Sequence, residues 1–387
     1  MTTTMTHPAG DIREILSLRR LDRDRSAWIE RIEATTDDQV RAALAGPPGS
    51  YTLHKLAALV SPAAEKHIEQ MAQIARRLTL RRFGRTVRLY APLYVSNHCV
   101  NRCLYCGFNC RSNARRIRLT VDQAVAEAQV IAGEGFRDLL LVSSEDRKFI
   151  DADYLCELAR RLQGKFSSLS VEIYQMSEAE YRRLFEAGID GVTLYQETYD
   201  RDVYQAFHRS GPQADSTERL LTPDRAAKAG MREIGLGALL GLTDWRVETL
   251  ALAEHGHHLM KHHWRSHISF SFPRLRPASD VDAMQFEHLL GDTELIQMIL
   301  ALRLCFADAG LVMSTREGAR LRDHVIELGV TRMSAGSKTS PGGYLHEDGQ
   351  LKQFEIDDAR RPAEVAAMIK SRGFDPVWKD WERPVSL

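Results

Sequence analysis

The sequence has no apolar run long enough to cross a bilayer, so a membrane span is not expected. Its opening stretch, MTTTMTHPAGD, has neither a basic flank nor an apolar segment, and so does not read as a signal peptide. Charge of one sign is missing as well. Lys plus Arg and Asp plus Glu stand at 52 each, which leaves no global field to attract nucleic acid or an anionic membrane. Cysteine is scarce, with 6 in 387 residues, too few and too unevenly spread for a disulfide scaffold. No internal repeat and no low-complexity tract is present. What remains is an ordinary globular composition, 44% hydrophobic and 27% charged, and the expected setting is the cytoplasm.

Two patterns follow one another along the chain. Residues 12–82 are rich in Leu, Ala, Arg and Glu at helical spacing, broken by the turn Gly46-Pro47-Pro48-Gly49. Ser61-Pro62 reads as an N-cap and first helical position for a helix from Ala63 to Leu78. Residues 1–82 are therefore a helical N-terminal extension. From residue 85 short β-rich runs alternate with amphipathic helices. The predicted strands are Val87–Tyr94, Asp138–Val142, Leu169–Tyr174, Gly191–Tyr195, Glu233–Leu239, Ile268–Phe272, Leu311–Thr315 and Val330–Ser334. Helices are expected over Val121–Glu134, Ala152–Gln163, Glu178–Ala187, Pro223–Ala229, Trp245–His263, Thr293–Ala309 and Ala319–Glu327, several ending at a glycine. Eight such units fit an α/β fold of the (β/α)8 TIM-barrel type over residues 83–340, closed or partly open, with chemistry on the loops after the strands. Residues 341–387 read as an irregular C-terminal tail packed on the barrel, with one helix near Ala363–Lys370.

The cysteines are concentrated where such a barrel would use them. Cys99, Cys103 and Cys106 follow the first strand directly. A compact loop can aim three thiolates at one 4Fe-4S cluster and leave its fourth iron without a protein ligand. An open iron of that kind can chelate the amino and carboxylate groups of S-adenosylmethionine and pass an electron to the sulfonium. Two other readings stay open at this level: a zinc knuckle, and an electron-transfer cluster that takes Cys110 as fourth ligand. Cys156 and Cys305 fall in helical patterns and read as small core residues.

The triplet, with an aromatic residue before its third member, resembles the radical S-adenosylmethionine superfamily. The wider runs YAPLYVSNHCVNRCLYCGF, LLLVSSE, GVTLYQETYD, IGLGALLGL, SFPRLRP, STRE, SKTSPGGY and PVWKDWE resemble the 2-iminoacetate synthase family, the tyrosine lyases of thiamine thiazole biosynthesis. That resemblance implies a radical SAM barrel carrying a 4Fe-4S cluster and S-adenosylmethionine. It implies cleavage of the Cα–Cβ bond of L-tyrosine to 2-iminoacetate (dehydroglycine) and p-cresol through a 5′-deoxyadenosyl radical. It also implies thiazole synthase as protein partner and a low-potential flavodoxin or ferredoxin as reductant. A tryptophan lyase shares the PRLRP and TRE elements. The hydrogenase-maturation tyrosine lyase carries a further C-terminal cluster, whereas this sequence has no cysteine after Cys305.

Carried over residue by residue, the resemblance places Tyr105 against the adenine, Glu145 at the cofactor's amino group and Glu197 at its ribose or amino group. In Gly235-Leu-Gly237-Ala-Leu-Leu-Gly241 the spacing fails a dinucleotide fingerprint, and Gly237 is expected to let adenine approach the strand. A free amino acid needs a cation for its carboxylate and an acceptor for its amine. Arg274, Arg276 and Arg316 lie at strand ends and suit the first task. By similarity to aromatic amino acid lyases Arg316 is the clamp, with Ser337 assisting and Tyr94 meeting the amine. His258 and His262 are four apart in a histidine-rich helix, but no paired carboxylate or cysteine completes a metal site there.

Overall fold

A computed structural model describes residues 10–113, 115–278, 281, 286–346 and 353–379; of the tail run PVWKDWE, Asp380, Trp381 and Glu382 lie outside the described residues. Eight parallel strands form the barrel: β1 (Thr86–Ser96), β2 (Asp138–Ser143), β3 (Ser168–Glu172), β4 (Gly191–Glu197), β5 (Glu233–Ala238), β6 (His267–Ser271), β7 (Gly310–Met313) and β8 (Arg332–Ser334). They pair in sequence order, and β1 closes the ring by pairing with both β8 and β2. The partly open alternative is therefore set aside. Each predicted strand is present, with ends shifted by a few residues. Among the described residues no helix is long and apolar enough to cross a membrane.

Two-residue periodicity sorts the side chains into two apolar clusters. On β1, Leu89, Ala91 and Leu93 face outward into the large cluster between barrel and helices, while Tyr90 and Tyr94 face inward with Leu140, Val142 and Val312. The lumen is closed at the N-terminal ends of the strands by charge. Arg88 and Arg332 grip Asp138 at 2.6 and 2.7 Å, and both also pair with Glu233. Such a floor confines a ligand to the opposite end of the barrel, where the strands end and the loops begin.

The N-terminal extension packs on the helices Trp245–His262 and Asp292–Cys305 through specific polar ties. Arg25 meets Glu248 at 2.7 Å, and the Gln297 amide donates to the carbonyls of Leu59 and Ser61. The expected helix from Ala63 differs in detail. Residues Pro62–His67 form a 3-10 helix, and the α-helix runs from Ile68 to Phe83. Ser61 does not cap it with its side chain, because its hydroxyl donates to the Ala58 carbonyl at 2.7 Å. The tail holds the expected helix, Pro362–Ser371, and also a strand that sequence reading missed, β9 (Asp375–Val377), paired parallel with Thr86–Arg88 of β1. Trp378 packs edge-on against Phe136, and its carbonyl accepts from the Arg137 amide at 3.1 Å. The tail is thus anchored at the barrel's N-terminal edge.

Candidate active site

The loop after β1 carries the three clustered cysteines, and its shape is held by side chains that satisfy its backbone. Arg116 donates to the carbonyls of Asn97, Phe108 and Asn109 at 2.7, 2.8 and 2.5 Å. The Asn97 side chain bridges Arg115 and Ile117. A short backbone ladder ties the loop to the 207–210 segment, with Leu104 N–H donating to Phe207 and Arg102 N–H to Ser210, each at 3.0 Å. Asn101 then fixes the next piece. Its amide donates to Glu145 at 2.6 Å, and its oxygen accepts from the Gln213 amide at 3.0 Å. Gly211 is required beside it: its φ is +94°, and a Cβ there would lie 2.2 Å from the Asn101 oxygen.

Cys99, Cys103 and Cys106 all line one cleft of about 680 Å³. Burial pushes all three thiols up, Cys106 to about 12, and their mutual repulsion adds to it for Cys103 and Cys106. Three thiols crowded in one cleft resist ionisation by themselves. A cationic iron–sulfur core is what would let them deprotonate together, so the donor set fits such a cluster. Among the described residues, no three His, Cys, Asp or Glu side chains form a group able to hold a single ion. Cys110 is exposed and does not line the cleft; its amide donates to the Asn101 carbonyl at 2.8 Å.

The expected cofactor residues surround the same cleft, with one exception. Glu145 is buried and accepts from Asn101 and from Arg147 at 2.9 Å. Tyr105 shares a 2.8 Å hydrogen bond with His208. Glu197 follows an irregularity in β4, has a φ of +69° and is paired with Arg219 at 3.1 Å. A non-glycine residue in that backbone region is uncommon, and such residues gather at functional sites. Gly237 is not among the residues that line the cleft. A Cβ there would lie 2.7 Å from Cδ1 of Tyr195, so the space it leaves is taken by that ring from the neighbouring strand.

The lumen above the charged floor is a second cavity of about 570 Å³. Its apolar part comes from Tyr90, Leu140, Val142 and Val312. Its polar part holds Arg316, Ser337 and Glu172. Arg316 lies over the Phe354 ring at 3.5 Å and donates to the Arg274 carbonyl at 3.1 Å. The Ser337 hydroxyl is buried and has no partner among the described residues. Tyr94 is also buried, and its hydroxyl donates to the Gln353 side chain at 2.7 Å. The other two arginines do not join Arg316 as a clamp. Arg274 is held by Glu317 and by Asp292 at 2.9 Å, and Arg276 by Glu317 and Asp357 at 3.1 and 2.9 Å. Those pairs tie loops together, although Arg276 also borders a lobe shared with Cys106 and Arg316.

The radical SAM superfamily model matches residues 93–253, and the biotin and thiamin synthesis associated domain matches residues 271–375. The 2-iminoacetate synthase of Escherichia coli (strain K12) is 43% identical over 91% of this chain and 93% of its own length. That of Salmonella typhimurium is 44% identical over 84% of this chain and 86% of its own. The chain belongs to the 2-iminoacetate synthase family. Among solved structures, the FeFe-hydrogenase maturase HydG from Carboxydothermus hydrogenoformans superposes with a TM-score of 0.81 at 29% identity, covering 96% of this chain and 86% of that one.

As a radical SAM enzyme of the 2-iminoacetate synthase family, the protein uses a 4Fe-4S cluster and S-adenosylmethionine. Bound together, these supply one-electron cleavage of the cofactor and so a means of removing a hydrogen atom from a neighbouring molecule. Four residues of the site were not singled out from the sequence: Glu172, Arg219, Gln353 and Phe354. A signal for Glu172 was available. In the strand Ser168-Leu-Ser-Val-Glu172 the polar positions alternate inward, and the last falls where a barrel keeps its chemistry. Gln353 and Phe354 come from the tail, far outside the barrel repeat, and no local pattern marks them.

Proposed function

We propose that this enzyme cleaves the Cα–Cβ bond of L-tyrosine to 2-iminoacetate and p-cresol, supplying the imine for thiazole formation in thiamine biosynthesis. The observation that carries the reading is that the two cavities adjoin. Glu172, Tyr195 and Val142 line both the thiol cleft and the barrel lumen. A substrate in the lumen would therefore lie beside the cofactor. Cys99, Cys103 and Cys106 would hold the cluster, with Glu145, Glu197 and Tyr105 around the bound cofactor.

In the lumen Arg316 would grip the substrate carboxylate through its planar fork, helped by the unpartnered Ser337 hydroxyl. The aromatic ring would enter the pocket of Leu140, Val142 and Val312. Thiazole synthase is the protein partner expected for a short-lived imine, a flavodoxin or ferredoxin the reductant, and the cytoplasm the setting. The test is product identity. Anaerobically reconstituted, reduced protein with S-adenosylmethionine should release p-cresol from tyrosine and no skatole from tryptophan. Skatole alone would replace the reading with a tryptophan lyase.

A further inference from the structure

We propose that Glu172 binds the substrate's ammonium group. The proposal rests on the lyase reading only in taking the substrate to be a free amino acid. Glu172 ends β3 with its side chain directed into the lumen, and it is the one acidic residue among those lining that cavity. It also lines the thiol cleft and the lobe beside Arg276, so it stands where all three spaces meet.

The other carboxylates of the cleft are already satisfied. Glu145 accepts from Asn101 and Arg147, and Glu197 is paired with Arg219. Among the described residues Glu172 accepts no hydrogen bond and forms no ion pair. An unpaired carboxylate in an enclosed space is costly, and the cost shows in its acidity. Burial and the neighbouring Glu197 push its carboxyl up to about 7, only partly offset by Arg316 and Arg219. The other ionisable groups lining these spaces are the buried phenols Tyr90, Tyr94 and Tyr195, the three cysteines, Tyr105, Tyr174 and Glu145 of the cleft, and Arg276, which is held by Glu317 and Asp357. Among the described residues none of these forms an ion pair with Glu172. A bound ammonium would provide the missing charge and a charge-assisted hydrogen bond.

The lumen thus offers a cation with a hydroxyl, Arg316 and Ser337, and an unpaired anion, Glu172. A zwitterion matches that set; a carboxylic acid without an amine does not. Tyr94, which the resemblance suggested for the amine, donates its proton to Gln353 and can offer the ammonium only a neutral oxygen, whereas Glu172 offers a carboxylate. With the ammonium on Glu172, the amino group lies at the mouth of the thiol cleft and the ring in the apolar pocket.

The test uses cluster-loaded, unreduced enzyme with S-adenosylmethionine, so that binding is read without turnover. Calorimetry compares L-tyrosine with 3-(4-hydroxyphenyl)propionate, which lacks the amine. Wild type should prefer tyrosine, and Glu172→Gln should lose about 10- to 100-fold in tyrosine affinity while holding the desamino acid at least as well. Glu172→Asp should recover part of the preference, and iron content and melting temperature check that the variants fold. A wild-type preference retained by Glu172→Gln, or no preference in wild type, overturns the proposal. The lyase reading fails separately: wild type would bind tyrosine through Glu172 yet form no p-cresol.

Discussion

The guanidinium of Arg316 rests 3.5 Å from the centre of the Phe354 ring. The residue proposed to grip substrate is thereby positioned by the C-terminal tail and not by the barrel alone. The tail segment is itself fixed, since the Gln353 amide donates to the Thr339 carbonyl at 3.0 Å and the Thr339 hydroxyl to the Phe354 carbonyl at 3.2 Å.

Phe354→Ala removes that support. A cation over an aromatic face in a desolvated site is worth about 0.5–2 kcal/mol. Steady-state kinetics should show the tyrosine KM raised roughly 2- to 30-fold, with a smaller change in kcat because the reacting atoms are not touched.

Arg316→Lys keeps the charge but loses the fork that matches two carboxylate oxygens. The expected outcome is a tyrosine KM raised by about 10-fold or more. Arg274→Gln should behave differently, because Arg274 is committed to Glu317 and Asp292. Its melting temperature should fall by several degrees while the tyrosine KM stays within about two-fold, the loss being that of a buried ion pair.

Glu172 also predicts a pH dependence of stability. Its folded carboxyl is raised from 4.5 to about 7, so the folded protein holds a proton that the unfolded chain releases. Stability is unaffected below the unfolded value and declines as pH rises from there to about 7. With allowance for water reaching the cavity, the deficit above that window is about 1–3 kcal/mol. In cluster-free protein kept reduced, Glu172→Gln should therefore melt higher than wild type at pH 8 and equally at pH 4.5. Equal melting at both would remove the unpaired carboxylate from the account.

The barrel was legible because its physics is local. Alternating strands and capped helices repeat eight times, and the strand ends then locate the site. Cys99, Cys103 and Cys106 stood out by their spacing directly after a strand, whereas Glu145 and Glu197 came only from the resemblance to a known family. What was not legible depends on distant packing. Gly237 serves the ring of Tyr195 across a strand pair, and only the register shows it. Arg274 and Arg316 look alike as strand-end arginines until Glu317 is seen to hold the first. Strand β9 is three residues long, too short for a periodic signal.

The central claim is that three side chains bind the cluster and leave one iron for the cofactor. Mössbauer spectra of anaerobically reconstituted protein carrying isotopically enriched iron, recorded with and without S-adenosylmethionine, test it most directly. The account predicts a 4Fe-4S cluster in which one iron site alone changes on cofactor addition, in wild type and in Cys110→Ser alike. A cluster whose irons all ignore the cofactor, or one that disappears in Cys110→Ser, would contradict it.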